Sequence, residues 1–362
     1  LNGVNSVTIT NGGSGYTSAP TVAFAAPTTG GIQATGTATI STGAVTGVVI
    51  TNPGSNYGSA PSVTFSGGGG SSAAGTAVLT QGGSGYGIAV RKRSGAANEA
   101  GKRGAIAALI RSVGTDHHRF AHTGQMTYED DVTKVPVAAL SAPDADQLQR
   151  ALLKGTVQVN VVLDVISQGE AISGNVIAEI PGETDEIVLI GGHLDSWDLG
   201  TGAIDDGAGI GITVGAAKLI LDLNKTPRRT IRIVMFGSEE VGLIGAKAYA
   251  KKYRDRLDKH IVGAESDFGA GRIWKFDTNF AQEKLFLAEA MHKVLEPLGI
   301  GRGDNNASGG PDIGPLRELG VPAVTLKQNG WDYFDYHHTA DDTLDKICLL
   351  YTSDAADEGL GV

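Results

Sequence analysis

The sequence predicts an α/β protein in which a mostly parallel sheet is flanked by helices, preceded by an all-β repeat segment. Three observations support this prediction. Strand-type and helix-type segments alternate after residue 100 of the 362-residue chain, which is typical of a layered fold with a parallel sheet. Acidic residues and histidines follow several of the predicted strands. Residues 1–90 contain no Lys, Arg, Asp, Glu or His, so they form a different kind of structure.

The composition restricts the class of protein. Hydrophobic residues make up 41% of the chain, which is enough for a packed core. No apolar run reaches the roughly 18 residues of a membrane span. The net charge of −10 argues against nucleic-acid partners and anionic membrane surfaces. A single cysteine, Cys348, excludes a disulfide scaffold.

The charge-free segment contains an internal repeat. Ile9-Thr10-Asn11 returns as Ile50-Thr51-Asn52, and Tyr16 returns as Tyr57, each at an offset of 41 residues. Strand-type runs alternate with Gly-Gly and Asn-Pro turn signals, which predicts a β-repeat domain over residues 1–88. Repeats of this kind usually need about three copies for stability. Residues 82–86 repeat the sequence of residues 12–16 and are interpreted as the opening of a third unit. The composition resembles Gly-rich β-repeats of bacterial and phage surface proteins, and a structural or adhesive role is expected.

The remaining elements follow from hydrophobic periodicity. Residues 100–110 are interpreted as a helix of small residues that runs into a strand. Further strands are predicted at residues 135–140, 175–180, 187–190, 230–236, 261–264 and 321–326. Helices are predicted at residues 144–154, 208–223, 243–253 and 282–298.

Acidic residues and histidines stand where these strands end, and in such sheets ligands bind beyond the carboxyl ends of the strands. The candidates are His193, Asp195, Asp205, Asp206, Glu239, Glu240, Asp267, His337 and His338. Taken singly, each has an ordinary explanation, such as a hydrogen-bonded pair, a helix cap or an exposed helix start. Together they would repel and desolvate one another unless cations neutralise them. Histidines with several carboxylates suit zinc or a similar divalent metal, and a carboxylate can bridge two ions.

From about residue 86 to residue 347 the chain resembles the carboxypeptidase Q group of the di-zinc aminopeptidase family, metallopeptidase family 28. The resemblance rests on His193-x-Asp195, Asp205, Glu239-Glu240, Asp267 and a His-Thr pair before Asp342-Thr343. Residues 89–165 resemble the protease-associated insert of that group, including His122-Thr123-Gly124, and are expected to be incomplete. Residues 166–347 would then be the catalytic domain, without its final helix. Residues 348–362 resemble a translated sequencing adapter and are expected to be non-native.

The resemblance also implies a role for each candidate. Asp205 would bridge two zinc ions; His193 and Asp267 would complete one metal site, and Glu240 and His338 the other. Asp195 would orient and polarise His193 without binding the metal. Glu239 would be the general base that activates a metal-bridging water. The family ligand directly precedes Thr or Ser, which selects His338 over His337, and His337 is assigned as a transition-state donor. The other histidines (His117, His118, His122, His260 and His292) are expected in the insert or at the surface.

The implied activity is hydrolysis of the peptide bond next to a free N-terminus in dipeptides or short peptides. A homodimer and a secreted or periplasmic location are further expectations from the family. Two alternatives stay open. One is an inactive peptidase-like domain that acts with the β-repeats as a surface binding or adhesion module. The other is a related zinc acyltransferase such as glutaminyl cyclase, although Glu239-Glu240 and the bridging-type Asp205 suit a peptidase better.

Overall fold

The structure is a computed structural model that describes residues 3–27, 31–54, 57, 59–79, 84–166, 169–330 and 332–347. The chain divides into two compact units, Leu1–Val90 and Arg91–Val362. The adapter-like tail at residues 348–362 lies outside the described residues. Within them, every helix is too short or too polar to span a lipid bilayer.

The first unit consists of two antiparallel sheets. Its strands are β1 (Val4–Ser14), β2 (Thr21–Phe24), β3 (Thr35–Ser41), β4 (Ala44–Asn52), β5 (Val63–Ser66) and β6 (Ser71–Leu79). β1 pairs with β6, and the other four follow the order β4-β3-β2-β5. The β3–β4 turn has positive φ angles at Thr42 and Gly43, as a tight hairpin with the twist of its strands requires.

The two predicted repeats pair with each other through the antiparallel β2 and β5, where Phe24 lies opposite Val63. Both repeat tyrosines are buried, with Tyr16 5% and Tyr57 3% exposed. The Tyr57 hydroxyl donates to the Ala25 carbonyl at 3.0 Å and accepts from an amide of the neighbouring loop. The two tyrosines belong to two separate clusters of buried residues in this unit.

The prediction that a third repeat begins at residues 82–86 is wrong. Residues 82 and 83 lie outside the described residues, but the helix α1 (Ser84–Lys102) starts where the repeat would continue. From Ala89 to Lys102 the sequence is rich in Ala, Lys and Arg, which favour helix over strand.

The second unit begins with a small two-stranded sheet. β7 (Ala108–Arg111) pairs in parallel with β8 (Val137–Leu140), and α2 (Ala142–Leu152) follows. Ser141 caps α2 by accepting a hydrogen bond from the Asp144 amide, the usual contact of a serine at this position. The long segment between β7 and β8 contains His122 and reaches the candidate site described below.

The main sheet of this unit has seven strands. They are β9 (Val176–Ile180), β10 (Thr184–His193), β11 (Arg229–Phe236), β12 (His260–Glu265), β13 (Ile273–Asn279), β14 (Gly301–Arg302) and β15 (Ala323–Gln328). Their order is β14-β13-β15-β12-β10-β11-β9. β10 is parallel to both β11 and β12, whereas β9 and β13 make antiparallel pairs. The sheet is therefore mixed and mostly parallel, as predicted.

Helices accompany this sheet and complete the α/β fold. They are α3 (Ala208–Asp222), α4 (Ile244–Lys252), α5 (Leu285–Leu295), α6 (Gly314–Glu318) and α7 (Tyr333–Tyr336). The core includes Leu189, Val234 and Phe236, each 0% exposed. Such near-continuous apolar runs are typical of parallel strands covered on both faces. The polar residues therefore stand at the ends of these strands.

Candidate metal centre

The predicted site residues converge at the carboxyl end of the main sheet. His193 ends β10 and Asp195 follows it, Asp205 precedes α3, Glu239 and Glu240 follow β11, Asp267 follows β12, and His337 and His338 follow α7. Since β10, β11 and β12 are parallel, their carboxyl ends meet at one edge of the sheet. The structure thus brings segments that are far apart in the sequence into one site.

Asp205 lies between two groups of side chains. Its Oδ1 is 3.0 Å from His193 Nε2, and the same nitrogen is 3.6 Å from Asp267 Oδ1. Its Oδ2 is 3.2 Å from His338 Nε2, and that nitrogen is 3.0 Å from Glu240 Oε2. We call His193, Asp205 and Asp267 the first half-site, and His338, Asp205 and Glu240 the second half-site.

Asp206 joins this cluster, although the sequence suggested only a helix cap for it. It is 1% exposed. Its Oδ2 accepts from the His193 amide at 3.1 Å, and its Oδ1 accepts from the Gly209 amide in the first turn of α3. Ligand atoms of His193, Asp206 and Asp267 lie within 4.8 Å of one another. The space is tight, because a Cβ on Gly192 would lie 2.5 Å from Asp206 Oδ2.

The carboxyl groups of the site have strongly shifted pKa values. Burial favours the neutral form of Asp205, but its hydrogen bonds with His193 and His338 outweigh that effect and hold its pKa well below the usual range. Burial, followed by the negative charge of Asp267, raises the pKa of Glu239 to about 8. Burial likewise raises the pKa of Asp267. The site therefore holds more negative charge than its protein neighbours compensate.

Two buried carboxylate oxygens mark positions at which a bound cation would be favourable. Glu240 Oε1 and Asp267 Oδ1 have no hydrogen-bond partner among the described residues. A buried carboxylate oxygen without a partner is costly, and a divalent cation would satisfy it. Carboxylates and imidazoles are donors that zinc accepts, so the residues present fit a metal ion in each half-site.

Both histidines of the half-sites have their outer nitrogen fixed by a main-chain carbonyl. His193 Nδ1 donates to the Asp195 carbonyl at 2.8 Å, and His338 Nδ1 donates to the Thr123 carbonyl at 3.0 Å. With Nδ1 fixed in this way, a metal ion would bind through Nε2 in place of the proton that Nε2 donates to Asp205. In both residues Nε2 is the nitrogen that faces Asp205.

The carboxylate of Asp195 has a contact that the sequence did not suggest. It accepts from the main-chain amides of Glu239 at 2.9 Å and Glu240 at 3.1 Å. Its nearer oxygen is 3.8 Å from His193 Nδ1, so the ring of His193 donates to the main-chain carbonyl of Asp195 and not to its carboxylate. Asp195 thereby links the end of β10 to the loop that follows β11.

His337 lies directly against His338, with ring centroids 3.6 Å apart and nearly parallel planes. Its Nε2 is 3.3 Å from Asp205 Oδ2. Ligand atoms of Asp205, His337 and His338 lie within 4.8 Å of one another, so both histidines reach the same carboxylate oxygen. Burial lowers the pKa of His337 well below its ordinary value, which keeps its ring neutral.

Aromatic residues surround the second half-site. Trp197 donates from Nε1 to Glu240 Oε2 at 2.7 Å, and Tyr333 lies 5.0 Å from His337 between ring centroids. Phe334 packs against His337 as well.

The structure also adds supporting residues that the sequence did not identify. Asp342 accepts from the amides of Ile204 and Asp205 at 2.5 and 3.2 Å, which holds the loop that carries Asp205. His122 is 0% exposed, and its ring contacts the main-chain carbonyl of His337. The expectation that His260 lies at the surface is wrong, because it is 2% exposed and hydrogen-bonded to Tyr249.

Comparison with known proteins assigns the sequence of this chain to a family. A model of the family described as Peptidase family M28 matches residues 175–357. Carboxypeptidase Q of Xenopus laevis is 36% identical over 263 residues, which cover 72% of this chain and 56% of that protein. Carboxypeptidase Q of Mus musculus is 34% identical over 270 residues, which cover 74% of this chain and 57% of that protein. The chain thus spans little more than half the length of these curated relatives.

A solved structure supports the fold. The peptidase M28 precursor from Shewanella amazonensis SB2B is 50% identical, with a TM-score of 0.69 over 75% of this chain and 63% of that chain. This likeness confirms the predicted α/β fold of the second unit.

Proposed function

This chain belongs to peptidase family M28, and we propose that it hydrolyses the peptide bond next to a free N-terminus in dipeptides or short peptides. The observation that carries the proposal is the position of Asp205, whose two oxygens face two separate sets of ligand-type side chains. The relatives named carboxypeptidase Q support a metal-dependent exopeptidase.

Two zinc ions would be held by this arrangement. His193 and Asp267 would hold one, His338 and Glu240 would hold the other, and Asp205 would contribute to both. Zinc bound there supplies Lewis-acid polarisation of the scissile carbonyl and acidification of water. The fixed orientation of both histidine rings and the partnerless oxygens of Glu240 and Asp267 support this assignment.

Glu239 is proposed as the general base. It takes a proton from the attacking water and passes it to the departing amine. It is buried beside the proposed ligands, where the surrounding negative charge raises its affinity for a proton. Asp195 keeps the loop of Glu239 in place through the two main-chain amides, so it acts as a positioning residue in this mechanism.

His337 is proposed to stabilise the oxyanion of the tetrahedral transition state. Its ring is neutral and buried beside His338, and a neutral imidazole can donate one hydrogen bond. Donors placed where charge develops contribute most when they are fixed in advance, and the packing of Tyr333 and Phe334 against this ring fixes it.

The substitution Glu239→Gln tests the proposal. Zinc content should stay at two ions per chain, while the rate of dipeptide hydrolysis should fall about 10²–10⁴-fold, the usual contribution of a general base. Glu183→Gln is the matched control, because Glu183 is exposed and should change neither quantity. Unchanged hydrolysis in Glu239→Gln would assign the base elsewhere.

The same experiment distinguishes the proposed peptidase from the alternative function, an inactive surface binding or adhesion module. A folded wild-type chain that holds no metal and hydrolyses nothing would be an inactive peptidase-like binding module. The protease-associated insert, the homodimer and the secreted or periplasmic location stay predictions from the family resemblance.

A further inference from the structure

His122 connects two distant segments of the second unit. One of its ring nitrogens, Nδ1, lies 2.7 Å from the main-chain carbonyl oxygen of His337. The other, Nε2, lies 2.6 Å from Asp116 Oδ1, and Asp116 is itself 6% exposed. The buried ring thereby fixes the main chain of His337 to the segment between β7 and β8.

Thr123 makes three further contacts, all with His338. Its amide donates to the His338 carbonyl at 3.0 Å, and its hydroxyl donates to the same oxygen at 3.2 Å. Its own carbonyl accepts from His338 Nδ1 at 3.0 Å. Arg93 donates to that carbonyl at 2.9 Å, which holds the acceptor in place.

The backbone of His338 needs such support. Its φ angle is +61°, in the left-handed region that residues other than glycine adopt only at a cost. A residue in that conformation persists when its surroundings determine it. Here the main-chain carbonyls of both His337 and His338 accept hydrogen bonds from the His122-Thr123 pair. This pair therefore selects the backbone conformation that points His338 Nε2 at Asp205 and Glu240.

We propose that His122 and Thr123 are positioning residues for the second half-site. They fix the strained His337-His338 main chain and the ring nitrogen of His338, and they act on a metal ion only through His338. This inference rests on the proposed function, because it takes the second half-site as a zinc site. It assigns part of the site to the segment between β7 and β8, which supplies no candidate ligand.

The first test uses amide hydrogen exchange on the metal-free full chain. In His122→Ala, exchange over residues 333–342 should accelerate about tenfold or more, because local opening becomes easier where buried hydrogen bonds are lost. His260→Ala is the matched control. His260 is similarly buried and loses two ring hydrogen bonds, to Tyr249 and Arg256, but it stands at the amino end of β12, whereas the site lies beyond the carboxyl end of that strand. It should leave that exchange within about twofold of the wild type.

The second test measures zinc by elemental analysis and by competition with a chelator. In His122→Ala the weaker of two zinc dissociation constants should rise about 10–100-fold, the usual effect of losing a partner that orients a ligand. The stronger constant should stay unchanged. His122→Gln retains an amide donor for the His337 carbonyl and should recover part of the loss. A merely destabilising substitution such as His260→Ala should leave both constants unchanged.

Thr123→Val keeps the two main-chain contacts and removes only the hydroxyl, so it serves if His122→Ala does not fold. It should give a smaller change in the same direction in both measurements. Exchange at wild-type rates in these variants would overturn the inference, as would faster exchange with both zinc constants unchanged. A wild-type chain without zinc is a separate result that defeats the proposed function, and this inference falls with it.

Discussion

Removing Asp205 should abolish binding of both zinc ions, whereas removing Asp267 should abolish only one. In the proposed assignment each half-site has three protein ligands, and Asp205 is the one that both would use. Asp205→Ala leaves two ligands on each side, fewer than the three that catalytic zinc sites usually have. Asp267→Ala leaves the second half-site complete. We expect two ions per chain in the wild type, one in Asp267→Ala and none in Asp205→Ala.

The thermal effect follows from the same count. An ion present at a hundred times its dissociation constant stabilises the folded state by about 2.7 kcal/mol, and each kcal/mol shifts the Tm of a large domain by roughly 2–4 °C. Zinc should therefore raise the Tm of the second unit by about 10–20 °C in the wild type, by about half of that in Asp267→Ala, and not at all in Asp205→Ala.

Calorimetry with and without zinc, together with elemental analysis, measures both quantities. Asp222→Ala is the control, because Asp222 is an exposed partner of Lys218 and should keep both ions. If Asp205→Ala retained one ion with its full share of the Tm shift, the assignment of Asp205 as the shared ligand would be refuted.

Two further predictions concern a buried hydrogen-bond network away from the site. Tyr249→Phe removes a hydroxyl that lies 2.8 Å from Arg232 Nη1 and 2.7 Å from His260 Nε2, so urea denaturation should show a loss of about 2–4 kcal/mol. Tyr253→Phe, whose hydroxyl makes no hydrogen bond among the described residues, should cost much less. Burial lowers the pKa of His260, so the unfolded chain binds more protons and the free energy of unfolding should fall as pH drops below about 6.5. That fall should be shallower in His260→Gln, and parallel pH profiles would contradict it.

The central strands were predictable because their apolar runs are local. The bounds of these strands were less predictable. β10 extends from Thr184 to His193, whereas the sequence predicts a strand over residues 187–190. Gly191, Gly192 and His193 have weak strand preference, but they pair in register with Val234, Met235 and Phe236 of β11. Tertiary pairing decided the conformation of these residues.

β13 was missed for a related reason. It contains Lys275 and Asp277, which look like surface residues in the sequence. In the fold both are buried and lie 3.1 Å apart as an ion pair. Charged residues that neutralise each other inside a sheet hide the apolar pattern on which strand prediction depends.

The candidate ligands could be identified from the sequence because each stands beside a strand end or in a short motif. The support given by His122 and Thr123 could not, because the contact partners are 215 residues away. Their only signal was the His122-Thr123-Gly124 motif within a resembling segment, which indicates a relationship but no contact.

The absence of charged side chains from the first unit has a consequence for titration. Residues 1–90 carry no Lys, Arg, Asp, Glu or His, and the structure holds them by an apolar core and neutral hydrogen bonds. Between about pH 3 and pH 9 no side chain in that unit changes its charge. Acid therefore acts through the groups of the second unit alone, and the first unit provides an internal reference against which its acid unfolding can be followed on the same chain.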